Sequence, residues 1–177
     1  ATNAATPEIL ATVSVPLGAR NATEIFGLVD YNEAGAKALE EAVLKYLEPF
    51  FAQTAGIDYH GQAALVATSS TPLRLVSLIK QMPKYDKFAS DGVTVATADL
   101  DRVIGEILPL PYAKRAESVY IGPQRAKIFV AALVIFRTIF RALGEAELTA
   151  SLKSAQEAIV AELAAGERGS RAEPAEL

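Results

Sequence analysis

AALVATSSTPLRL, residues 63–75, is the stretch of sequence that decides the fold. Its first part, Ala63–Thr68, is a short apolar run between turn signals, which is typical of a strand buried on both faces. Thr71 and Pro72 then predict a helix start, with Thr71 as the N-cap and Pro72 at the first helical position. We expect this helix to end at Met82, before Pro83. A strand, a tight polar turn and a helix in this order favour an α/β domain.

Outward from this stretch, the apolar periodicity predicts more helix than strand. Strands are expected at Ala11–Leu17 and Glu147–Leu152, and loops at Gly56–Gly61 and Lys84–Ala96. One helix is predicted from Asn32 to Pro49, which bends or ends it, and another from a Thr97 cap to Leu108. A short helical turn is predicted over Ala113–Ser118. Two more helices are predicted over Gln124–Leu143, with Gly144 as C′, and from a Ser154 capping box to Ala165. Residues 1–165 therefore form one α/β domain, and residues 166–177 are predicted to be a disordered tail.

The composition excludes several classes of function. The chain of 177 residues has no cysteine, so it has no disulfide, thiolate metal site or cysteine nucleophile. Its one histidine, His60, rules out a histidine-rich metal cage and disfavours a Ser–His–Asp triad. We accordingly expect no catalytic residue and no metal ligand within this chain. A net charge of −4 has the wrong sign for a non-specific nucleic-acid binder.

Membrane insertion and secretion are likewise not expected. The longest charge-free apolar run, Ile128–Phe136, is nine residues, about half of what a bilayer-spanning helix needs. The first ten residues, ATNAATPEIL, contain no basic and apolar pattern of a secretion signal. The sequence predicts a cytoplasmic protein.

The turn after the predicted strand Ala63–Thr68 is a candidate anion site. The start of a helix presents free backbone N–H groups and the positive end of the helix dipole, and both favour phosphate or carboxylate. The hydroxyl groups of Thr68, Ser69, Ser70 and Thr71 could add donors there. Serine and threonine at a helix start are also common as simple caps, so both interpretations stay open.

Basic residues in the middle of the chain give a second hint of an anion. Residues 70–153 contain 12 basic and 8 acidic side chains, while the remainder contains 5 and 13. Arg125 and Lys127 lie in the first turn of a predicted helix, where the dipole disfavours cations. They are either contacts to an anion or ordinary exposed side chains.

Four segments, in this order, resemble the second domain of the Ppx/GppA family of exopolyphosphatases and guanosine pentaphosphate phosphatases. Residues 14–24 (SVPLGARNATE) match the family's S-x-P-L-G-A-x-x-x-T-E segment, and residues 67–71 (ATSST) are similar to its G-T-x-G-T turn. Residues 125–132 (RAKIFVAA) resemble R-A-D-x-I-x-x-G, and residues 151–158 (SLKSAQEA) echo S-D-x-G-L-R-E-G. The resemblance covers about Ile9 to Leu163.

This resemblance implies an RNase H-like (actin-like ATPase) fold with an incomplete mixed sheet flanked by helices, belonging to the actin/Hsp70/sugar-kinase superfamily. It implies that the first strand, the D-x-G-G-G-S phosphate loop and the domain with the catalytic glutamate are missing from this chain. The implied cofactor of the complete enzyme is Mg²⁺. The implied partners are the missing N-terminal domain and polyphosphate or guanosine pentaphosphate, with a homodimer as a further expectation. Phosphate contacts are expected from Thr68, Ser69, Ser70 and Thr71 and, second to them, Arg125.

The departures from the family pattern concern mostly glycines. Ala67, Ser70, Ala132, Ser154 and Ala158 stand at family glycine positions, and Gln156 stands at an arginine position. A Cβ in such a turn crowds the approach of a phosphate or demands another backbone path. Two functions are therefore considered. The chain is one wall of the cleft of a bacterial-type phosphohydrolase, or it is a non-catalytic scaffold or oligomerisation domain derived from that fold.

Overall fold

The computed structural model describes residues 9–57 and 63–154, together with residues 157, 159, 160, 163 and 164. Within them the chain is helix-rich with one small sheet. The elements in chain order are α1 (Ala19–Ile25), α2 (Glu33–Thr54), β1 (Val66–Thr68), α3 (Ser70–Ile79), β2 (Thr94–Ala96), α4 (Thr97–Ile107), α5 (Tyr112–Glu117), α6 (Pro123–Ala126), α7 (Phe129–Leu143) and β3 (Glu147–Ser151).

The sheet has three strands in the order β1-β3-β2. β3 lies in the middle, parallel to β1, with Val66 opposite Thr149, and antiparallel to β2, with Val95 opposite Leu148. This mixed sheet packs against a helical layer and confirms the predicted α/β class with more helix than strand. Leu148 and Ala150 of β3 are buried, so the sheet contributes its central strand to the core.

α7 is the centre of the helical layer. It packs against α1, α2, α3 and α4, which is why its sequence is apolar on nearly every side. Phe129, Val130, Ala131 and Leu133 are almost completely buried. Gly144 ends this helix with φ +73°, a left-handed conformation that glycine adopts without a Cβ clash, as predicted.

The strand predictions are confirmed in part. β3 lies at the predicted place, but β1 is only Val66–Thr68, and Val66 is 52% exposed because β1 pairs with β3 on one side only. The prediction of a strand buried on both faces is therefore wrong. β2 was missed inside the predicted loop, since three residues are too few for a periodic signal.

Ala11–Leu17 is not a strand, which is a second error. Its side chains do alternate between half-buried and exposed, with Val13, Val15 and Leu17 against the core. Among the residues that the structure describes, no ladder hydrogen bond reaches this segment. It is extended chain held by its apolar side chains and by the hydrogen bond that Asn21 Nδ2 donates to the Pro16 carbonyl at 2.9 Å.

The helix predictions hold in type, with shifted boundaries. α2 continues through the exposed Pro49 to Thr54, so of the two predicted effects of this proline, a bend or an end, the end is wrong. α3 ends at Ile79 rather than Met82, and the residue that follows its cap, Gln81, has φ +51°. The predicted helix 124–143 is two helices, α6 and α7, because the chain leaves helical geometry at Ile128.

Thr97 does not cap α4 but joins it to the sheet. Its hydroxyl donates to the carbonyl of Glu145 at 2.8 Å, while the N-cap position is Ala96. The predicted apolar stripe of this helix is confirmed, since Leu100, Val103, Ile104, Ile107 and Leu108 are all buried. The His60 loop, most of the predicted last helix and the 166–177 tail lie outside the described residues. None of the described helices is long and apolar enough to cross a bilayer.

Two arginines near the C-terminal end of α7 tie this helix to α4. Asp101 accepts from Arg137 Nε at 2.7 Å and from Arg141 Nη2 at 2.7 Å. The hydrogen bond from Arg137, reinforced by the one from Arg141, lowers the pKa of the Asp101 carboxyl to about 2. These contacts account for both arginines structurally and leave them no part in an anion site.

Gly35 and Gly105 allow a matched test of helix packing. A Cβ on Gly35, in the first turn of α2, would lie 2.3 Å from the carbonyl oxygen of Phe26, whereas a Cβ on Gly105 in α4 meets nothing within 4 Å. We expect Gly35→Ala to destabilise the domain by about 1–3 kcal/mol through this clash. Gly105→Ala should stabilise it by about 0.5–1 kcal/mol through helix propensity. Urea unfolding of both variants measures this, and equal shifts of the midpoint would contradict the packing at Gly35.

Candidate anion-binding cleft

The candidate site begins where β1 ends. β1 stops at Thr68, Ser69 is the whole connection, and α3 starts at Ser70. The Ser69 side chain caps the helix by accepting a hydrogen bond from the backbone N–H of Thr71 at 3.3 Å. The predicted strand, polar turn and helix are thus confirmed, but the cap is Ser69 and not Thr71, because the turn is two residues shorter than its sequence suggested.

A cleft of about 410 Å³ opens at this junction. Three segments that are far apart in the sequence line it: residues 17–19 before and at the start of α1, residues 69–71 at the start of α3, and Arg125 of α6. One side of α7 closes the cleft with Ala132, Ile135, Phe136 and Ile139. A volume of this size accommodates several phosphate groups or a comparable small ligand.

The cleft brings together most of the residues predicted from the sequence. Ser69, Ser70, Thr71 and Arg125 all line it, whereas Thr68 does not. Three of the four segments that carry the family resemblance contribute to the lining. No described residue of the fourth segment lines the cleft. Its Ser151 pairs with Thr68 across the sheet, and the backbone N–H of its Ser154 donates to Glu157 Oε2 at 2.7 Å.

The charge of the cleft suits an anion. Among the described residues of the lining, Arg125 is the only one with a charged side chain, and it is exposed to solvent. The hydroxyl groups of Ser70 and Thr71 have no hydrogen-bond partner among the residues that the structure describes, so they remain available as donors. Together with the N-terminus of the ten-residue α3, these groups form a surface on which phosphate oxygens find several donors and one positive charge.

The same lining does not fit a magnesium ion. Mg²⁺ prefers carboxylate and other oxygen ligands, and no carboxylate is among the described residues that line the cleft. Within residues 9–57, 63–154 and the five described residues beyond, no group of three or more histidine, aspartate or glutamate side chains could hold a metal. The described residues therefore do not fit the magnesium site that the family resemblance implies for the complete enzyme.

Three of the substituted glycine positions, Ala67, Ser70 and Ala132, adopt ordinary backbone conformations. Ala67 lies in β1, Ser70 is the first residue of α3, and Ala132 lies in α7. The only non-glycine residue with positive φ in the described chain is Gln81. The new Cβ atoms therefore cause no backbone strain, because the chain follows a regular path through strand and helix at these positions.

Arg115, which the sequence analysis did not single out, is completely buried behind the cleft. Its guanidinium donates to the backbone carbonyls of Val29, Leu110 and Ala126 and pairs with Asp30 Oδ1 at 3.0 Å. Asp30 also accepts from the backbone N–H of Tyr112 at 2.6 Å. In sequence Arg115 follows Lys114 in a short polar helix and resembles a surface residue, so no local pattern could have revealed it.

The fold and the cleft define the class of protein: an α/β domain of the actin-like fold that presents a basic, hydroxyl-lined cleft at a strand–helix junction. The model of the Ppx/GppA phosphatase family matches residues 3–166. The chain therefore belongs to the Ppx/GppA family. No curated protein matches the sequence.

Solved structures of this family share the fold. An exopolyphosphatase from Cytophaga hutchinsonii has a TM-score of 0.77 at 17% identity, over 90% of this chain and 51% of its own. An exopolyphosphatase-like protein has a TM-score of 0.72 at 21% identity, over 86% and 49%. The Ppx/GppA family member of Aquifex aeolicus has a TM-score of 0.70 at 19% identity, over 88% and 49%. The chain spans about half the length of these structures.

Arg115→Met tests whether the buried guanidinium holds the segments behind the cleft together. Methionine fills similar volume but leaves three carbonyl groups without their donor. We expect a loss of about 3 kcal/mol or more in the free energy of unfolding. Arg102→Met, which removes an exposed guanidinium paired with Asp99 and Glu106 on α4, is the control and should leave the unfolding midpoint nearly unchanged. Similar midpoints for the two variants would contradict the role of Arg115.

Proposed function

We propose that this chain forms one wall of the phosphate-binding cleft of an exopolyphosphatase-like phosphohydrolase. The substrate class is a linear phosphoanhydride, either polyphosphate or guanosine pentaphosphate. The observation that carries the proposal is the convergence of residues 17–19, residues 69–71 and Arg125 on one cleft. These segments are separated by about 50 residues each in the sequence, so their meeting is a property of the fold.

The reaction is hydrolysis of a terminal phosphoanhydride bond. Water forms the new P–O bond to the terminal phosphorus, the bridging P–O bond breaks, and the shortened chain leaves with the bridging oxygen. The negative charge that develops on the leaving phosphate chain during this step lies on phosphate oxygens. In the proposed role, the hydroxyls of Ser70 and Thr71 donate to non-bridging oxygens, and the Arg125 guanidinium binds an adjacent phosphate.

The rest of the catalytic machinery belongs to the other half of the enzyme. The solved relatives are about twice as long as the aligned region, which supports a two-domain protein of which this chain resembles the second domain. The glutamate that acts as base on water, the glycine-rich phosphate loop and the magnesium site that the family resemblance implies lie outside this wall. The chain by itself is accordingly expected to bind phosphate chains without hydrolysing them.

Tripolyphosphate binding tests the cleft. We expect the purified chain to bind tripolyphosphate, measured by titration calorimetry and by the rise of the unfolding temperature with ligand concentration. Arg125→Gln should weaken binding at least ten-fold, since one charge-assisted hydrogen bond contributes roughly 1.5–3 kcal/mol. Lys127→Gln is the matched control, because Lys127 lies two residues away, is exposed and does not line the cleft.

The outcomes of this experiment separate cleft binding from general attraction. Equal losses in the Arg125 and Lys127 variants would mean that tripolyphosphate responds to overall charge, and the cleft assignment would fail. Measurable release of phosphate from polyphosphate by the chain alone would contradict the division of labour between the two halves.

An apolar groove on the opposite end of β1 favours a second candidate function, a scaffold or oligomerisation domain. The groove has a volume of about 470 Å³, and most of its lining is apolar, including Ile9, Leu10, Phe50, Ile57 and Leu65. Leu10 is 62% exposed, and β1 beside it pairs with β3 on one side and with no other strand among the described residues. Exposed apolar surface next to an open sheet edge is typical of an interface.

Sedimentation velocity tests this candidate function. If the groove joins two copies of the chain, the protein should sediment as a dimer at micromolar concentration, and Leu10→Asp should convert it to a monomer. Val119→Asp is the control, because Val119 is 61% exposed and does not line the groove. A monomer at every concentration tested would exclude self-association as the function.

A further inference from the structure

Arg74 joins the two sides of the cleft from behind. It lies one helical turn after Ser70 on α3, and its Nη1 donates to the backbone carbonyls of Tyr120 and Ile121, the latter at 3.1 Å. The next residue, Gly122, turns the chain with φ +75° into α6, which contains Arg125. Arg74 does not line the cleft itself, so any effect it has on a ligand is exerted through the segment that it holds.

The segment before α6 depends on such contacts for its position. Gly122 has left-handed backbone geometry and α6 is only four residues long, so local propensity alone does not fix this stretch. The hydroxyl of Tyr120 donates to the carbonyl of Met82 at 2.6 Å, and the backbone N–H of Tyr85 donates to the carbonyl of Val119 at 3.3 Å. Both contacts hold the segment to the loop after α3. Among the described residues, Arg74 is the one residue of α3 whose side chain forms hydrogen bonds with this segment.

The surroundings of Arg74 combine a favourable aromatic contact with an unfavourable burial of charge. Its guanidinium stacks 4.0 Å from the centre of the Tyr85 ring, and its Nε is buried without a hydrogen-bond partner in the described part of the chain. Burial lowers the pKa of the Arg74 guanidinium, Tyr85 raises it, and the nearby charge of Arg125 lowers it further. Neither arginine forms an ion pair with a carboxylate in the part of the chain that is described. Two neighbouring cations without an anion are unfavourable in the empty cleft and favourable once a polyanion is bound.

We propose that Arg74 is a positioning residue of the cleft, which holds residues 120–121 against α3 so that Arg125 faces the hydroxyls of Ser70 and Thr71. The consequence for phosphate binding rests on the function proposed above, whereas the consequence for the segment itself does not. The experiment therefore has two arms, one without ligand and one with tripolyphosphate.

The first arm measures amide hydrogen exchange in the free chain. The amides of Ile121, Gly122, Arg125 and Ala126 are hydrogen-bonded within the segment that Arg74 holds. Arg74→Met keeps an apolar stem beside Tyr85 and removes the donors, and Arg74→Lys keeps the charge but lacks the planar guanidinium whose Nη1 reaches both carbonyls. Both variants should exchange these four amides at least ten-fold faster, while amides in α2 and α4 stay as in the unchanged chain and in Arg102→Met.

The second arm measures tripolyphosphate affinity in a double-mutant cycle with Arg125→Gln. A positioning residue loses its effect when the residue that it positions is gone. Arg74→Met should weaken binding several-fold in the unchanged chain and have no further effect in the Arg125→Gln background. Arg74→Lys should behave like Arg74→Met, because both variants lose the hydrogen bonds of the guanidinium and the positive charge that lysine keeps does not replace them.

Each outcome decides one of the two proposals. Unchanged exchange of the four amides, or faster exchange throughout the chain, would overturn the positioning role. Fully additive losses in the cycle would also overturn it, since Arg74 would then act independently of Arg125. If the unchanged chain binds no tripolyphosphate while the four amides respond as expected, the proposed function fails and the structural role of Arg74 stands.

Discussion

The buried guanidinium of Arg115 is the interaction on which the rest of the domain depends. It donates hydrogen bonds to acceptors in the connection between α1 and α2, in the residues after α4 and at the end of α6. A cation without exposure to water is stable only while its donors are paired, so these three segments cannot separate without leaving it unpaired. The pairing also fixes Ala126, the residue after Arg125, and thereby the side of the cleft that carries the positive charge.

The arginines behind and within the cleft have different roles because their side chains have different partners. Arg115 is neutralised by Asp30 and three carbonyl groups, and Arg137 and Arg141 share Asp101. Arg74 and Arg125 have no carboxylate partner among the residues described, and they are close enough to influence each other. The chain is acidic overall, yet Asp30 and Asp101 pair with arginines that hold the fold, and none of the described residues that line the cleft is acidic. A net charge of −4 is therefore compatible with a polyanion site.

The features that could be predicted from the sequence are those with a local signal. Thr71 and Pro72 predicted a helix start to within two residues, and Gly144 predicted a helix end, because caps and left-handed turns need particular residues. The cleft residues Ser69, Ser70, Thr71 and Arg125 were accessible through motifs. β2, with three residues, and Arg115, whose acceptors lie up to 86 positions away, have no local signal. Ala11–Leu17 alternates like a strand but has no strand beside it among the described residues, and a partner cannot be predicted from one segment's pattern.

The replaced glycines indicate how this cleft differs from one built on a glycine-rich turn. A glycine turn binds phosphate through backbone N–H groups that come close because no Cβ intervenes. Here Ala67 and Ser70 lie in regular strand and helix, so the turn is shortened to Ser69 and the close approach is lost. The hydroxyls of Ser70 and Thr71, the α3 N-terminus and an exposed guanidinium remain. Binding by one exposed charge is screened by salt far more than binding by enclosed backbone donors. In this domain the affinity for phosphate chains should therefore depend on ionic strength and on how firmly Arg125 is held.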